Sequence, residues 1–177
     1  GASAAGNLRA TTDESVYESA DIVVVDVALD IPFLSDEPQL EMAGFEDAAR
    51  TVFSKVSPDT LILIETTLPP GTCEKLLVPL LQDELRYRGI DEKVVHLAHS
   101  FERVMPGDDY LDSIVNFWRA YAGYTPVAAD VCEAFLTTIV DAERFPLIRL
   151  SSMTASETAK VMENTYRAVN IAFIDEW

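Results

Sequence analysis

Leu61–Thr72 reads LILIETTLPPGT, and its reading decides the fold. Four large aliphatic residues in succession, closed by a charge and then by turn formers, are the pattern of a short strand buried on both faces. Pro69, Pro70 and Gly71 hold the chain in a tight turn. From Gly71 to Tyr87 the period changes to that of a helix, with Leu76, Leu77, Leu80, Leu81 and Leu85 on one side. Strand, tight turn and helix within so short a stretch make the first two thirds of a βαβ unit.

The same alternation continues in both directions. Upstream, Asp21–Leu29 (DIVVVDVAL) predicts another strand buried on both faces, and Gly44–Val56 a helix carrying Phe45, Ala48, Ala49, Val52, Phe53 and Val56. Downstream, Lys93–Ala98 (KVVHLA) predicts a third strand. A less regular stretch, Phe101–Asp112, follows. Val115–Gly123 reads as a strand or extended segment, Pro126–Val140 as a helix, and Phe145–Leu150 as a short strand. Ser151–Ser156 supplies cap residues for a last helix running to Trp177. The pattern is α/β with a parallel sheet. In such sheets ligands sit beyond the carboxyl ends of the strands, which directs attention to the segments after Val27, Glu65 and Ala98.

Composition narrows the function classes. Thirteen basic residues against thirty acidic ones give a net charge of −17, which argues against nucleic acid, whose phosphates need a basic footprint. The acid excess with only four lysines (Lys55, Lys75, Lys93 and Lys160) suits a protein adapted to high salt, and equally suits ordinary acidic solubility. No apolar run approaches the ~20 residues that span a membrane, so a soluble, membrane-free chain is expected. Two cysteines make no disulfide framework, and a reduced, cytoplasmic setting is the expectation. With two histidines and no Cys/His cluster, no metal site is expected. The opening GASAAGNLRATT lacks Met, and no stop signal follows the last helix, so the chain reads as an internal piece of something longer.

Three segments offer chemistry. Thr66 and Thr67 present hydroxyls at a strand end, suited to a water or a cofactor amide; a plain turn with Thr72 near the helix N-cap explains them as well. Glu102 and Arg103, in SFERVMPG after the third strand, are either a surface pair or an acid/base beside an anion hook. On the last helix Lys160, Asn164 and Arg167 fall at i, i+4 and i+7, on one face. A cation, an amide and a guanidinium pointing one way suit an anionic, oxygen-rich ligand. The competing reading is a solvated face in which Glu157 and Glu163 pair with Lys160. Cys73 stands at a helix start, where the dipole lowers a thiol pKa, but with no His nearby it reads as a packed thiol. Cys132 reads as core. His96 and His99 flank a strand end and read as structural.

ETTLPPGT after a strand, SFERVMPG after the next and ASETAKVMENTYRAVNIAFIDE as a long helix, in that order, resemble the nucleotide-sugar dehydrogenases of the UDP-glucose/GDP-mannose dehydrogenase superfamily. The resemblance runs from about Leu8 to Trp177, and RVMPG is similar to the branch acting on UDP-N-acetylhexosamines. It implies the later part of a Rossmann-type parallel sheet with flanking helices over residues 1–150. Residues 151–177 would then begin a long central linking and dimerisation helix. It implies NAD as cofactor, a UDP-sugar as substrate and a homodimer. The family's Gly-rich phosphate loop and its Gly-Gly-x-Cys nucleophile segment do not occur in this sequence, so the piece alone is expected to be inactive.

The resemblance also assigns roles. Thr67 corresponds to the threonine near the nicotinamide that helps hold a catalytic water, with Val27 and Glu102 also on the cofactor side. Glu102 corresponds to the acid/base of the hydrolytic half. Arg103 and Val104 contact the nucleotide sugar, Lys160 and Asn164 stabilise oxyanions on the reacting carbon, and Arg167 binds substrate. Where the family often reads V-P-T-P, this chain reads Val27-Ala28-Leu29-Asp30, a departure on the cofactor side. The implied reaction takes a primary alcohol to a carboxylate in two hydride transfers through a cysteine thioester. Two rivals remain at this point: another Rossmann dehydrogenase with a helix-borne lysine, such as a 2-hydroxyacid or 6-phosphogluconate type, and a non-catalytic binding or dimerisation module.

Overall fold

The structure, a computed structural model, describes residues 6–29, 40–104 and 107–177. Among these, five strands form one sheet in the order β1 (Ile22–Val25), β2 (Leu61–Ile64), β3 (His96–Ser100), β4 (Ala120–Gly123) and β5 (Ile148–Arg149). The helices are α1 (Ala43–Phe53), α2 (Val78–Arg88), α3 (Tyr110–Val115), α4 (Pro126–Thr137) and α5 (Met153–Glu176). A turn of π-helix, Cys73–Leu77, leads into α2.

The side-chain alternation of the strands separates two cores. Val23, Val25, Ile62, Ile64, Leu97 and Ala122 point to the face covered by α1 and α2, where Phe45, Phe53, Leu77 and Leu85 fill the space. Leu61, Leu63, Ala98 and Tyr121 point the other way, against Ala129, Cys132 and Leu136 of α4. Gly123 lets α4 close on the sheet: a Cβ there would lie 2.2 Å from the Ala129 nitrogen.

The α/β reading holds, with three refinements. β1 pairs in parallel with β2, and β2 with β3, but β4 runs antiparallel to β3. Among the described residues the connection from β3 to β4 carries the six-residue α3 and no long crossover helix, and β4 runs back alongside β3 in the opposite direction. The α4 crossover then makes β5 parallel to β4. Second, β1 is buried on one face only: Ile22 and Val24 are 39% and 44% exposed. The α4 cluster reaches β2, β3 and β4 but not β1, so the expectation of a strand covered on both faces is corrected. Third, β3 starts later than the apolar run suggested. Asp91 accepts a hydrogen bond from the Lys93 N–H at 3.0 Å and holds 92–94 in a 3-10 turn, so the ladder begins at His96 and extends to Ser100.

α5 starts as read. Ser152 is extended and accepts the Ala155 N–H at 3.1 Å as N-cap. Its first two turns pack on β3 and β4, burying Met153, Ser156 and Glu157. Beyond them the helix leaves the sheet, and Met162, Tyr166, Val169, Ile171, Phe173, Ile174 and Trp177 are exposed.

Candidate functional site

The segments after β2 and β3 and the helix α5 carry every described candidate residue but Val27, which follows β1. At the end of β2 the two threonines part company. Thr66 is buried, and its Oγ1 accepts the Val27 N–H at 2.9 Å and donates to the Val27 carbonyl at 3.1 Å. Its hydroxyl splices the loop after β1 to the loop after β2. Val27 is held through its backbone and is half-buried. Thr67 is exposed at the strand end, and no side-chain hydrogen bond engages it among the described residues. Strand alternation explains the division, since neighbouring residues face opposite sides.

Glu65, just before them, is not a free acid. It forms an ion pair with Arg119, whose side chain is 7% exposed. Arg119 Nε also donates to Ser100 Oγ at 3.0 Å, and Ser100 Oγ donates to the Ala120 carbonyl at 2.9 Å. Burial pulls the Arg119 pKa down to about 10. The cluster ties the ends of β2 and β3 to the start of β4 and was not foreseen. Its sequence signal is weak, since Glu65 and Arg119 are 54 positions apart (119 minus 65).

After β3, Glu102 and Arg103 are brought into the site but not paired with each other. The Glu102 carboxylate accepts the Val104 N–H. Arg103 pairs with Glu163 of α5 at 2.9 Å and lies 4.1 Å over the Phe117 ring. Val104 lines the cleft beside it. Met105 and Pro106, part of the quoted RVMPG, lie outside the described residues, as does Asp30.

Lys160, Asn164 and Arg167 do share one face. With Arg103, Val104, Phe117, Glu163 and Tyr166 they line a cleft of about 350 Å³. Lys160 Nζ donates to the Glu102 carbonyl at 2.9 Å and sits 5.5 Å from the Phe101 ring. The competing reading, in which Glu157 and Glu163 pair with Lys160, does not hold. Glu163 turns to Arg103, and Glu157 turns away into the protein, fully buried. Three cationic groups around one small cleft suit an anionic ligand, and Arg offers forked donors to phosphate.

Glu157 is the group that sequence reasoning misread. Its two oxygens accept the Gly71 N–H at 2.5 Å and the Cys73 N–H at 2.7 Å, at the turn that opens the π-helix before α2. A signal was present: Met153, Ser156 and Glu157 fall at i, i+3 and i+4, the stripe that is buried at the start of α5. Beside it, Ser156 Oγ lies 2.8 Å from His99 Nδ1. Burial pushes the His99 pKa down to about 4; the Thr66 carbonyl opposes this and Lys160 adds to it, so His99 is a neutral packing residue. His96 is also buried.

Neither cysteine is a nucleophile in this setting. Both are free and fully buried. Burial, reinforced by the Glu157 carboxylate, raises the Cys73 thiol well above its ordinary value, which overrides any lowering by the helix start. Burial lifts Cys132 to about 12. Among the described residues no group of His, Cys, Asp and Glu is arranged to hold a metal, and no helix is long and apolar enough to cross a membrane.

The residues at the strand ends fit the nicotinamide end of a dinucleotide. Thr67 offers an open neutral hydroxyl, and the nearby Glu65 charge is compensated by Arg119. The sequence holds no G-x-G-x-x-G motif for the pyrophosphate.

Residues 1–124 match the UDP-glucose/GDP-mannose dehydrogenase family, NAD binding domain. The UDP-N-acetyl-D-mannosamine dehydrogenase of Pyrococcus horikoshii is 34% identical over 173 residues, covering 97% of this chain and 38% of that protein. The NDP-N-acetyl-D-galactosaminuronic acid dehydrogenase of Ralstonia nicotianae is 33% identical over 175 residues, covering 97% and 39%. Among solved structures, UDP-D-ManNAc dehydrogenase from Pyrococcus horikoshii superposes with a TM-score of 0.81 at 32% identity, over 98% of this chain and 38% of that one. The chain thus spans about two fifths of the length of the curated relatives it matches.

Proposed function

The chain belongs to the NAD-binding domain of the UDP-glucose/GDP-mannose dehydrogenase family, and on that premise we propose that it is part of an NAD-dependent nucleotide-sugar 6-dehydrogenase acting on a UDP-N-acetylhexosamine. The observation that carries the proposal is the cleft in which Lys160 and Asn164 stand beside Arg103 and Arg167. Relatives such as the Pyrococcus horikoshii enzyme act, by name, on UDP-N-acetyl-D-mannosamine, which favours that substrate class over UDP-glucose.

In this reading the oxidation of the sugar C6 alcohol to the uronate proceeds in two hydride transfers. NAD, when bound, supplies the hydride acceptor. The chain's own residues handle charge and protons. Oxyanions develop at the reacting carbon, and the Lys160 ammonium and Asn164 amide are the donors that stabilise them; one fixed donor of this kind contributes about 3–4 kcal/mol. Arg103 and Arg167 take the diphosphate end. Glu102 moves the proton of the water that releases the acid, and Thr67 orients that water and the carboxamide of the cofactor. Val27 shapes the cofactor side through its backbone. The thioester forms on a cysteine other than Cys73 and Cys132, both of which are buried thiols.

The proposal divides the chain at the end of the sheet. Residues 1–150 form the cofactor-binding unit, since β5 ends at Arg149, and residues 151–177 begin a helix that links to a further domain. The exposed apolar side chains on the free half of α5 support a homodimer formed along that helix. The isolated chain is proposed to be inactive, and the two free thiols accord with a reduced, cytoplasmic setting.

The test is an assay of the intact gene product for NAD reduction with UDP-N-acetylmannosamine, UDP-N-acetylgalactosamine and UDP-glucose. Two NADH formed per sugar oxidised, with an N-acetylhexosamine preferred, supports the reading. One NADH per sugar removes the thioester step, and no turnover with any UDP-sugar removes the function.

A further inference from the structure

Glu157 is a fully buried carboxylate on the helix that carries Lys160 and Asn164, yet its oxygens face away from the cleft. Both hydrogen bonds go to the Pro69–Cys73 turn, at the Gly71 and Cys73 N–H groups. The intervening Thr72 N–H is taken by the Pro69 carbonyl at 3.1 Å. Gly71 has φ +94°, a conformation that presents its N–H to the carboxylate and that L side chains rarely adopt. Among the described residues no cation pairs with Glu157, so its charge is held by oriented backbone amides at a helix start. A buried carboxylate is costly to desolvate, and an amide acceptor of the same size would serve an ordinary cap. That turn follows the loop that carries Thr67, two residues before Pro69. The helix it rides on reaches Lys160 three residues later, and Lys160 is anchored to the Glu102 carbonyl.

We infer that Glu157 is a positioning residue: its carboxylate clamps the Pro69–Cys73 turn, which ends the loop bearing Thr67, to the helix bearing Lys160 and Asn164, and so sets the distance between the cofactor side and the substrate side of the site. The inference rests on the function proposed above. Two sides of a site built on separate elements need a shared fixed point, because displacements on the order of 1 Å cost ~10²-fold in rate. A carboxylate meets the need better than an amide: it has two acceptor oxygens for two converging N–H donors, whereas glutamine would turn an NH2 toward one of them.

The test compares Glu157→Gln with the unsubstituted intact enzyme. The expected result is a fall in kcat of roughly 10- to 100-fold, with KM for NAD and for the UDP-sugar changed by less than about threefold. In a Thr67→Ala background the same substitution should cost far less, since both changes disable one unit. Hydrogen exchange gives a reading that does not depend on turnover: the Gly71 and Cys73 amides should exchange at least about tenfold faster, while those of Leu63 and Leu97 keep their protection. Glu157→Asp, which keeps the charge but reaches only one amide, serves the same readings if the glutamine variant does not fold. A lowered melting temperature with unchanged kcat per folded enzyme, or full additivity with Thr67→Ala, overturns the positioning role. If the intact protein turns over no UDP-sugar, the function proposed above fails by itself. Unchanged exchange at Gly71 and Cys73 would overturn the clamp separately.

Discussion

Lys160 Nζ donates to the Glu102 carbonyl at 2.9 Å, joining α5 to the loop after β3. One of its three protons is therefore committed to the backbone, and the ammonium is fixed rather than swinging free in solvent. A fixed donor stabilises developing charge without reorganising first.

Lys160→Met should accordingly lower kcat of the intact enzyme by about 10²- to 10³-fold, the equivalent of one lost oxyanion donor. Stability should change by no more than about 1 kcal/mol, because the lost bond is a single partly exposed one. Steady-state kinetics together with urea unfolding check both. An unchanged kcat would favour a binding or dimerisation module.

The two adjacent threonines should separate cleanly. Thr66→Val leaves the part-buried Val27 N–H without its acceptor and should cost about 1–3 kcal/mol of stability. Thr67→Ala, at an exposed position, should stay within about 0.5 kcal/mol of the parent while lowering turnover. Equal destabilisation by both would contradict the hydrogen bonding described here.

Breaking the buried pair of Glu65 and Arg119 should be severe. Arg119→Met strands the Glu65 carboxylate and leaves Ser100 Oγ without its donor, for a loss of about 3–5 kcal/mol. The double substitution with Glu65→Leu should recover part of it, since no charge is then left buried. Denaturant titration of the three variants decides.

His99 predicts a pH dependence of stability. Its folded pKa, about 4, lies below the ordinary 6.5, so between those values the unfolded chain binds more protons than the folded one. The stability associated with neutral His99 is complete above about pH 6.5 and is lost as the pH falls through 4. It amounts to roughly 3 kcal/mol when fully lost. His99→Gln should flatten that part of the profile between pH 6.5 and 4. An unchanged slope would mean that the acid sensitivity arises elsewhere.

Cys73→Ala and Cys132→Ala should leave kcat within about twofold and cost ~1–2 kcal/mol through lost packing. Both thiols should resist labelling until the protein unfolds. Loss of turnover in either variant would assign the nucleophile to this chain.

Much of this was legible in the sequence, and what was legible is local. Continuous aliphatic runs announced β1 and β2, although only β2 is buried on both faces, where a strand shows no alternation. Helical spacing put Lys160, Asn164 and Arg167 on one face, and chain direction placed ETTLPPGT and SFERVMPG after strands, so the site region could be named. Ser152 could be read as a cap because capping acts across three residues. What needed the tertiary structure was every relation across the chain. The reversal of β4 depends on how a loop returns to the sheet. The one-sided burial of β1 depends on how far α4 extends. The burial of Glu157, which helix spacing alone allowed as a surface partner of Lys160, depends on the Gly71 and Cys73 amides more than 80 positions away. Spacing along a helix gives the direction of a side chain, but the partner it meets is decided by which element packs there. Burial then settles whether that partner must be present at all.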